Sequence, residues 1–205
     1  RPPYALDRVR RGMVHIGPGA FHRVHQAWYA DRLLEHDPRW GIAAVSLRSA
    51  ALRDALREQD WLYSLAVLDE QESLEVIGSL RDVRVAEGAP GEAAVVAGDD
   101  TRLVTLTVTE KGYCLDGEGR LDLRHPDIAR DLAEPRAPLS AIGFLVEGLR
   151  LRRERGLPAI PVLSCDNLSG NGRLLAAAAR DYAAEFDRAL AGSLEAEVPF
   201  PCTMV

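Results

Sequence analysis

The feature that most constrains this chain is Gly17-Pro18-Gly19, a tight turn set between a short apolar run, Met13–Ile16, and a segment whose Phe21, Val24 and Trp28 fall at helical spacing. The apolar run reads as a buried strand and residues 20–35 as a helix. That helix must stop before His36-Asp37-Pro38, because proline disfavours helical backbone in the residue before it. Residues 41–47 (GIAAVSL) form a second buried strand and residues 49–58 a second short helix. The result is a β-α-β unit, which requires a parallel sheet. Further on, residues 61–68 (WLYSLAVL) alternate, and residues 73–85 (SLEVIGSLRDVRV) carry two more strand-like pulses. Together these predict a β-ribbon inserted between the halves of the sheet. Residues 92–97 suit one turn of helix. Residues 102–110 (RLVTLTVTE) are the strongest strand, rich in β-branched side chains. Residues 112–123 read as a loop turning at Asp116-Gly117. A helix follows over 139–155, with Ile142, Val146, Leu149 and Arg153 along one face, then a strand over 159–165 and a helix over 172–191 whose alanine run at 176–179 allows close packing. The expected fold class is α/β, a mostly parallel sheet with flanking helices and an inserted β-ribbon.

Composition narrows the function classes. At 205 residues the chain suits one large domain. Twenty-five basic against thirty-one acidic residues give a net charge of −6, with no long basic run, which argues against a protein that grips nucleic acid by its phosphates. No apolar stretch approaches the roughly 18 residues of a spanning helix, so no membrane role is expected. The sequence opens at Arg1 without an initiator Met or signal-peptide core, which suggests that the native start is missing. Cys114, Cys165 and Cys202 are few, odd in number and far apart, which points to a reducing compartment and a cytoplasmic enzyme. The apolar ending at residues 199–205 suggests that more protein follows, so residues 1–198 are expected to be one domain and 199–205 the start of a linker.

Five features bear on chemistry. The Gly17-Pro18-Gly19-Ala20-Phe21-His22 turn resembles the dinucleotide fingerprint: its first glycine makes the turn, and its second lets a diphosphate approach the helix N-terminus at Ala20 and Phe21. His22 replaces the third glycine. An acidic residue for the adenosine ribose is missing at the end of the second strand, where Ser46-Leu47-Arg48-Ser49 stands. Arg48 can face a 2′-phosphate, favouring NADP, can stack on adenine, or can be a surface arginine. His22 and His25 are one turn apart, but zinc needs three or four ligands and no cysteine is spaced to join them, so no metal is expected. Thr109, Glu110 and Lys111 close the strongest strand, at the sheet end that faces a ligand crevice; a salt-bridged loop is the plainer reading. Last, residues 164–172 (SCDNLSGNG) join the final strand to the final helix. Asn167 there can donate to a developing alkoxide at any pH, whereas Asp166 or Asn171 can serve simply as a helix N-cap. Apart from these five, the arginines from 150 to 155 read either as a phosphate site or as a solvated helix end.

Segments 15–31 (HIGPGAFHRVHQAWYAD), 40–49 (WGIAAVSLRS), 106–114 (LTVTEKGYC), 163–172 (LSCDNLSGNG) and 200–205 (FPCTMV) occur in the order found in the mannitol dehydrogenase family, the polyol-specific long-chain dehydrogenases, which this chain resembles over nearly its whole length. The resemblance implies an expanded Rossmann domain here and a helical C-terminal domain outside this chain. It implies zinc-independent hydride transfer between NAD and a sugar alcohol, ketose or hexuronate, with NADP not excluded. It further implies that Asn167 is one of two asparagines holding the oxyanion, and that the second asparagine and a lysine general base lie beyond Val205. The missing third glycine is a habit of the family. Two alternatives remain at this stage: a sugar-phosphate dehydrogenase that uses the arginine cluster, and a nucleotide-binding module without catalysis.

Overall fold

The computed structural model describes residues 1–68 and 71–204, so Val205, the end of the last motif and of the expected linker, lies outside the described residues. Among them, five strands form one parallel sheet in the order β5-β2-β1-β6-β7: β1 (Met13–Ile16), β2 (Ile42–Ser46), β5 (Leu80–Val85), β6 (Leu103–Leu106) and β7 (Val162–Ser164). Counted along the chain this is 3-2-1-4-5, with the order reversing between β1 and β6. Central strands buried on both faces need continuous apolar runs. Val14, Ile16, Ile42, Val45, Val104 and Leu106 are fully buried, and β1 pairs with both β2 and β6 without a register break. Helices α1 (Ala20–Val24), α2 (Gln26–Leu34), α3 (Ala51–Arg57), α4 (Pro126–Ala133), α5 (Ala141–Glu154), α6 (Asn171–Ala184) and α7 (Arg188–Glu197) flank it.

Several expectations are corrected. The ribbon consists only of β3 (Tyr63–Val67) and β4 (Ser73–Ile77), paired antiparallel; the next pulse is β5, a sheet strand parallel to β2. Leu80 and Val83 pack with Ala27, Ala30 and Leu56 in a second core, which draws β5 into the sheet. The helix over 20–35 breaks at His25 (φ −118°, ψ −82°). Its apolar stripe faces outward, with Phe21 and Val24 exposed, while His22, Ala27, Ala30, Asp31 and Leu34 are buried. Periodicity marks a face, and here polar contacts settle which face turns in: Asp31 accepts from Gly78 N at 2.7 Å, and Ser79 donates to the Ala27 carbonyl at 2.6 Å. The helix over 172–191 is two helices, because the Asp187 side chain accepts from Leu190 N at 2.9 Å and caps a new one. Helix α4 went unread, although His125 at its cap and Pro126 at its first position are start signals.

The arginines from 150 to 155 divide: Arg153 is exposed at the helix end, while Arg150, Arg152 and Arg155 are held by partners within the fold. Arg150 and Arg152 are buried. Arg150 makes a two-pronged pair with Glu147 (2.6 and 2.8 Å), and Arg152 donates to the carbonyls of Pro158, Val96 and Gly98. Arg155 reaches the Ala97 carbonyl and Asp99. The cluster ties α5 to the loop before β6. Asp131 does similar work at the other end of the helix, accepting from the amides of Leu139 and Ser140. Among the described residues, no helix is long and apolar enough to cross a membrane.

Candidate functional site

Ligands of open parallel sheets bind outside the carboxyl ends of the strands, at the point where strand order reverses. The chain has a cleft of about 630 Å³ there. Its walls are the glycine turn with Arg23, the end of β2 from Ser46 to Ser49, the start of α3, and Thr107-Val108 leaving β6. Gly17 sits at φ +89°, and a Cβ on it would overlap the Thr107 carbonyl oxygen, so only glycine lets β1 turn this close to β6. Gly19 differs: its φ of −72° is ordinary, and a Cβ would meet nothing nearer than the Gly17 oxygen at 3.9 Å. Its missing side chain relieves no clash in the chain; it keeps the cleft open.

The amides of the two glycines are themselves taken up within the fold. Gly17 N donates to the Val45 carbonyl at 2.9 Å and Gly19 N to the Gly17 carbonyl at 2.7 Å. The amides without an acceptor among the described residues are those of Ala20, Phe21 and His22, at the start of α1. An anion can use them.

A second hollow of about 510 Å³ shares Leu47, Arg48 and Val108 with the first and adds Thr109, Lys111, Cys114, Asp127 and the start of α5. Arg48 therefore stands between the two hollows. Its side chain is 84% exposed, and its 3.6 Å ion pair with Asp127 is a weak surface contact. Glu110 and Lys111 border a third hollow, which Leu168 also lines. The segment expected to extend β6 to residue 110 leaves the strand after Leu106, for a reason that sequence reading missed. The buried Asp166 carboxylate accepts from Val108 N (3.2 Å), Thr109 N (2.8 Å) and the Tyr113 hydroxyl (2.9 Å). This holds Thr109 at φ +63°, an unfavourable backbone for threonine, and turns residues 107–111 across the carboxyl end of β7. Burial, together with the negative charge of Asp166, keeps the Tyr113 hydroxyl protonated well above its ordinary range.

Asp166 thus anchors a loop, and neither it nor Asn171 caps α6; Gly170, at φ +65°, is the cap residue. Asn171 is buried and stitches Thr203 to the end of β7. Its amide nitrogen lies 3.0–3.3 Å from Ser164 O, Asp166 O and both oxygens of Thr203, and its oxygen accepts from Thr203 N at 3.0 Å. Asn167, between these two anchors, is exposed at the end of β7, outside the three hollows described.

The histidines at 22 and 25 diverge. His22 is buried against His15, and His25 packs between Phe21 and Tyr29. Burial lowers the His22 pKa to about 4 and holds His15 well below the usual imidazole range, so both are neutral at pH 7. Among the described residues, Cys114, His125 and Asp127 have ligand atoms within 4.8 Å of one another, a grouping with no sequence spacing to announce it. The His125 Nδ1 accepts from Asp127 N, and burial, helped by the nearby carboxylates, raises the Cys114 thiol to about 11.

Comparison with known proteins bears on this geometry. Residues 11–205 match the family model described as the mannitol dehydrogenase Rossmann domain. The chain is 46% identical over 213 residues to a D-mannonate oxidoreductase of Escherichia coli and 38% identical to a polyol:NADP oxidoreductase of Gluconobacter oxydans; each alignment covers 100% of this chain and 44% of the relative. It superimposes with a TM-score of 0.91 on a Pseudomonas fluorescens mannitol 2-dehydrogenase solved as a ternary complex with NAD and D-mannitol. That match, at 39% identity, covers 97% of this chain and 42% of that one. The chain therefore spans less than half the length of these relatives.

Proposed function

The chain belongs to the mannitol dehydrogenase family, as its Rossmann domain, and from that premise we propose that residues 1–198 bind NAD in the cleft beside the glycine turn and serve hydride transfer between it and a small sugar alcohol, ketose or hexuronate. One observation carries the reading most. At the reversal point of the sheet, a glycine whose side-chain space is left open stands beside three amides with no acceptor. That arrangement suits a diphosphate. Gly17 and Gly19 allow the approach, and the amides of Ala20 and Phe21 donate to it. Arg48 serves the adenosine ribose, and Thr109, Glu110 and Lys111 border the nicotinamide side. NAD, when bound, supplies a hydride acceptor at nicotinamide C4. Asn167 donates its amide protons to the substrate oxygen on which negative charge develops. Resemblance to the family puts the general base, a lysine, in a helical domain that follows residues 199–205. The proposed partners are thus small molecules, neither nucleic acid nor membrane, and the three free cysteines suit a reducing, cytoplasmic setting.

Burial of Arg150 and Arg152 weakens the sugar-phosphate reading, which rested on the cluster from Arg150 to Arg155. The test is to titrate the full-length protein with NADH and NADPH by fluorescence, then to assay mannitol, fructose, mannonate and fructuronate. Dinucleotide binding with turnover of at least one of these is the expected result. Binding without turnover of any would leave a nucleotide-binding module, and no binding would end the proposal.

Two further results are expected. Asn167→Ala lowers kcat roughly a hundredfold, about 2.7 kcal/mol, the effect of one lost oxyanion donor, while the NADH Kd stays within about twofold. Unchanged turnover removes Asn167 from the mechanism. The cleft wall at the end of β2 has no carboxylate to repel a 2′-phosphate. Arg48→Glu should therefore weaken NADPH about tenfold (about 1.4 kcal/mol) more than NADH. Equal effects on both dinucleotides would place the 2′ position elsewhere.

A further inference from the structure

Two buried imidazoles lie beneath the glycine turn, and nothing in the proposed reaction employs them. His15 on β1 and His22 on α1 are fully buried, with ring centroids 3.4 Å apart and planes inclined by 11°. Val14 and Ile16 show what a buried strand position ordinarily holds. Keeping polar rings there costs desolvation unless they find partners. His15 has a full set. Its Nδ1 is 2.7 Å from Oγ1 of Thr105, its register partner on β6, and its Nε2 is 2.9 Å from Thr107 Oγ1 and 3.2 Å from the Gly17 carbonyl oxygen. Thr107 Oγ1 also donates to that carbonyl, at 2.7 Å. The threonine proton is used there, so its oxygen accepts from His15 Nε2–H, and Nδ1 accepts from Thr105. A single neutral tautomer satisfies every contact.

The object of this network is the Gly17 carbonyl, which also accepts from Gly19 N at 2.7 Å. Gly17, at φ +89°, has no side chain to fix its own torsions, and Pro18 after it fixes only its own φ. If the Gly17 carbonyl swung into the cleft, it would set a negative dipole where an anion has to sit. We propose that neutral, Nε2-protonated His15 is the positioning residue of the turn. With Thr107 it holds the Gly17 carbonyl against β6, and the His22 ring, its Nδ1 2.8 Å from Gln26 Oε1, fixes the plane of the imidazole. The proposal rests on the reading of this cleft as a dinucleotide site.

Its test reads NADH affinity by fluorescence, and thermal unfolding, in the full-length protein. His15→Leu keeps the bulk and loses all three of these polar contacts. It is expected to raise the NADH Kd about tenfold or more, as loss of preorganisation does, with the KM for the sugar changed less than about twofold. His15→Gln restores a donor at the same reach and should recover affinity to within about threefold of the parent. Thr107→Val, nearly isosteric, should weaken NADH like His15→Leu, and the double variant should be no worse than either single one, because all three cut the same link. Unchanged affinity in His15→Leu overturns the proposal. So does a glutamine variant as impaired as leucine, which would mark His15 as packing alone. If His15→Leu does not fold, unchanged affinity in Thr107→Val decides against it. If the parent protein binds neither NADH nor NADPH, the dinucleotide reading falls and takes this proposal with it; if the parent binds and the variants bind equally well, only the proposal falls.

Discussion

Gly19→Val is expected to leave the protein folded and to raise the NADH Kd about a thousandfold, roughly 4 kcal/mol. The backbone at Gly19 (φ −72°, ψ −174°) is extended and suits a β-branched residue, and its Cβ direction is open. The unfolding midpoint should therefore move by no more than a surface substitution moves it, about 0.5 kcal/mol. Inside the cleft, the added carbons occupy space that a diphosphate needs. Gly17→Ala is the control with the opposite signature: the left-handed backbone and the overlap with the Thr107 carbonyl should destabilise the whole sheet, and affinity should fall only as a consequence. Fluorescence titration beside thermal melting separates the two. A Gly19→Val protein that binds NADH normally would show that the diphosphate lies elsewhere.

The largest stability effect is expected at the Glu147–Arg150 pair. Both side chains are almost wholly buried and joined by two hydrogen bonds, with Arg136 3.4 Å from the carboxylate and Glu154 on the outer side of Arg150. Arg150→Leu leaves a buried carboxylate without its main partner, a loss of about 3–5 kcal/mol. At roughly 2–4 °C per kcal/mol for a domain of this size, the melting midpoint should drop by roughly 6–20 °C. Replacing both members, Glu147→Leu with Arg150→Leu, should recover most of that loss, because no charge is then stranded. A single variant that melts within about 2 °C of the parent would mean that water reaches the carboxylate.

The architecture was legible in the sequence where local pattern and tertiary role agree. Met13–Ile16, the glycine turn and residues 41–47 announce β-α-β because buried parallel strands have to be continuously apolar. Reading failed where a distant polar group decides the outcome. Nothing within residues 102–110 says that the strand stops at Leu106; the Asp166 carboxylate, more than fifty residues on, captures the next amides. The outward turn of Phe21 and Val24 depends likewise on His15 and Gly78, which lie on other elements. The arginines of α5 looked like surface charge because composition cannot show that Val96, Ala97 and Gly98 present carbonyls to them. The candidate site followed the same rule. The strand–turn–helix–strand setting pointed Gly17 and Gly19 at a crevice and left Arg48 open, but which amides stay free depends on the bonds of Gly17 N to Val45 and of Gly19 N to the Gly17 carbonyl in the folded sheet.

The glycine turn is gripped from both flanks, its amide by Val45 on β2 and its carbonyl by Thr107 and His15. Its conformational entropy is therefore given up when the sheet forms, long before any ligand arrives. A guest entering this crevice meets a surface already set, so the encounter on this side can proceed at the pace of collision, with no slow loop rearrangement in between.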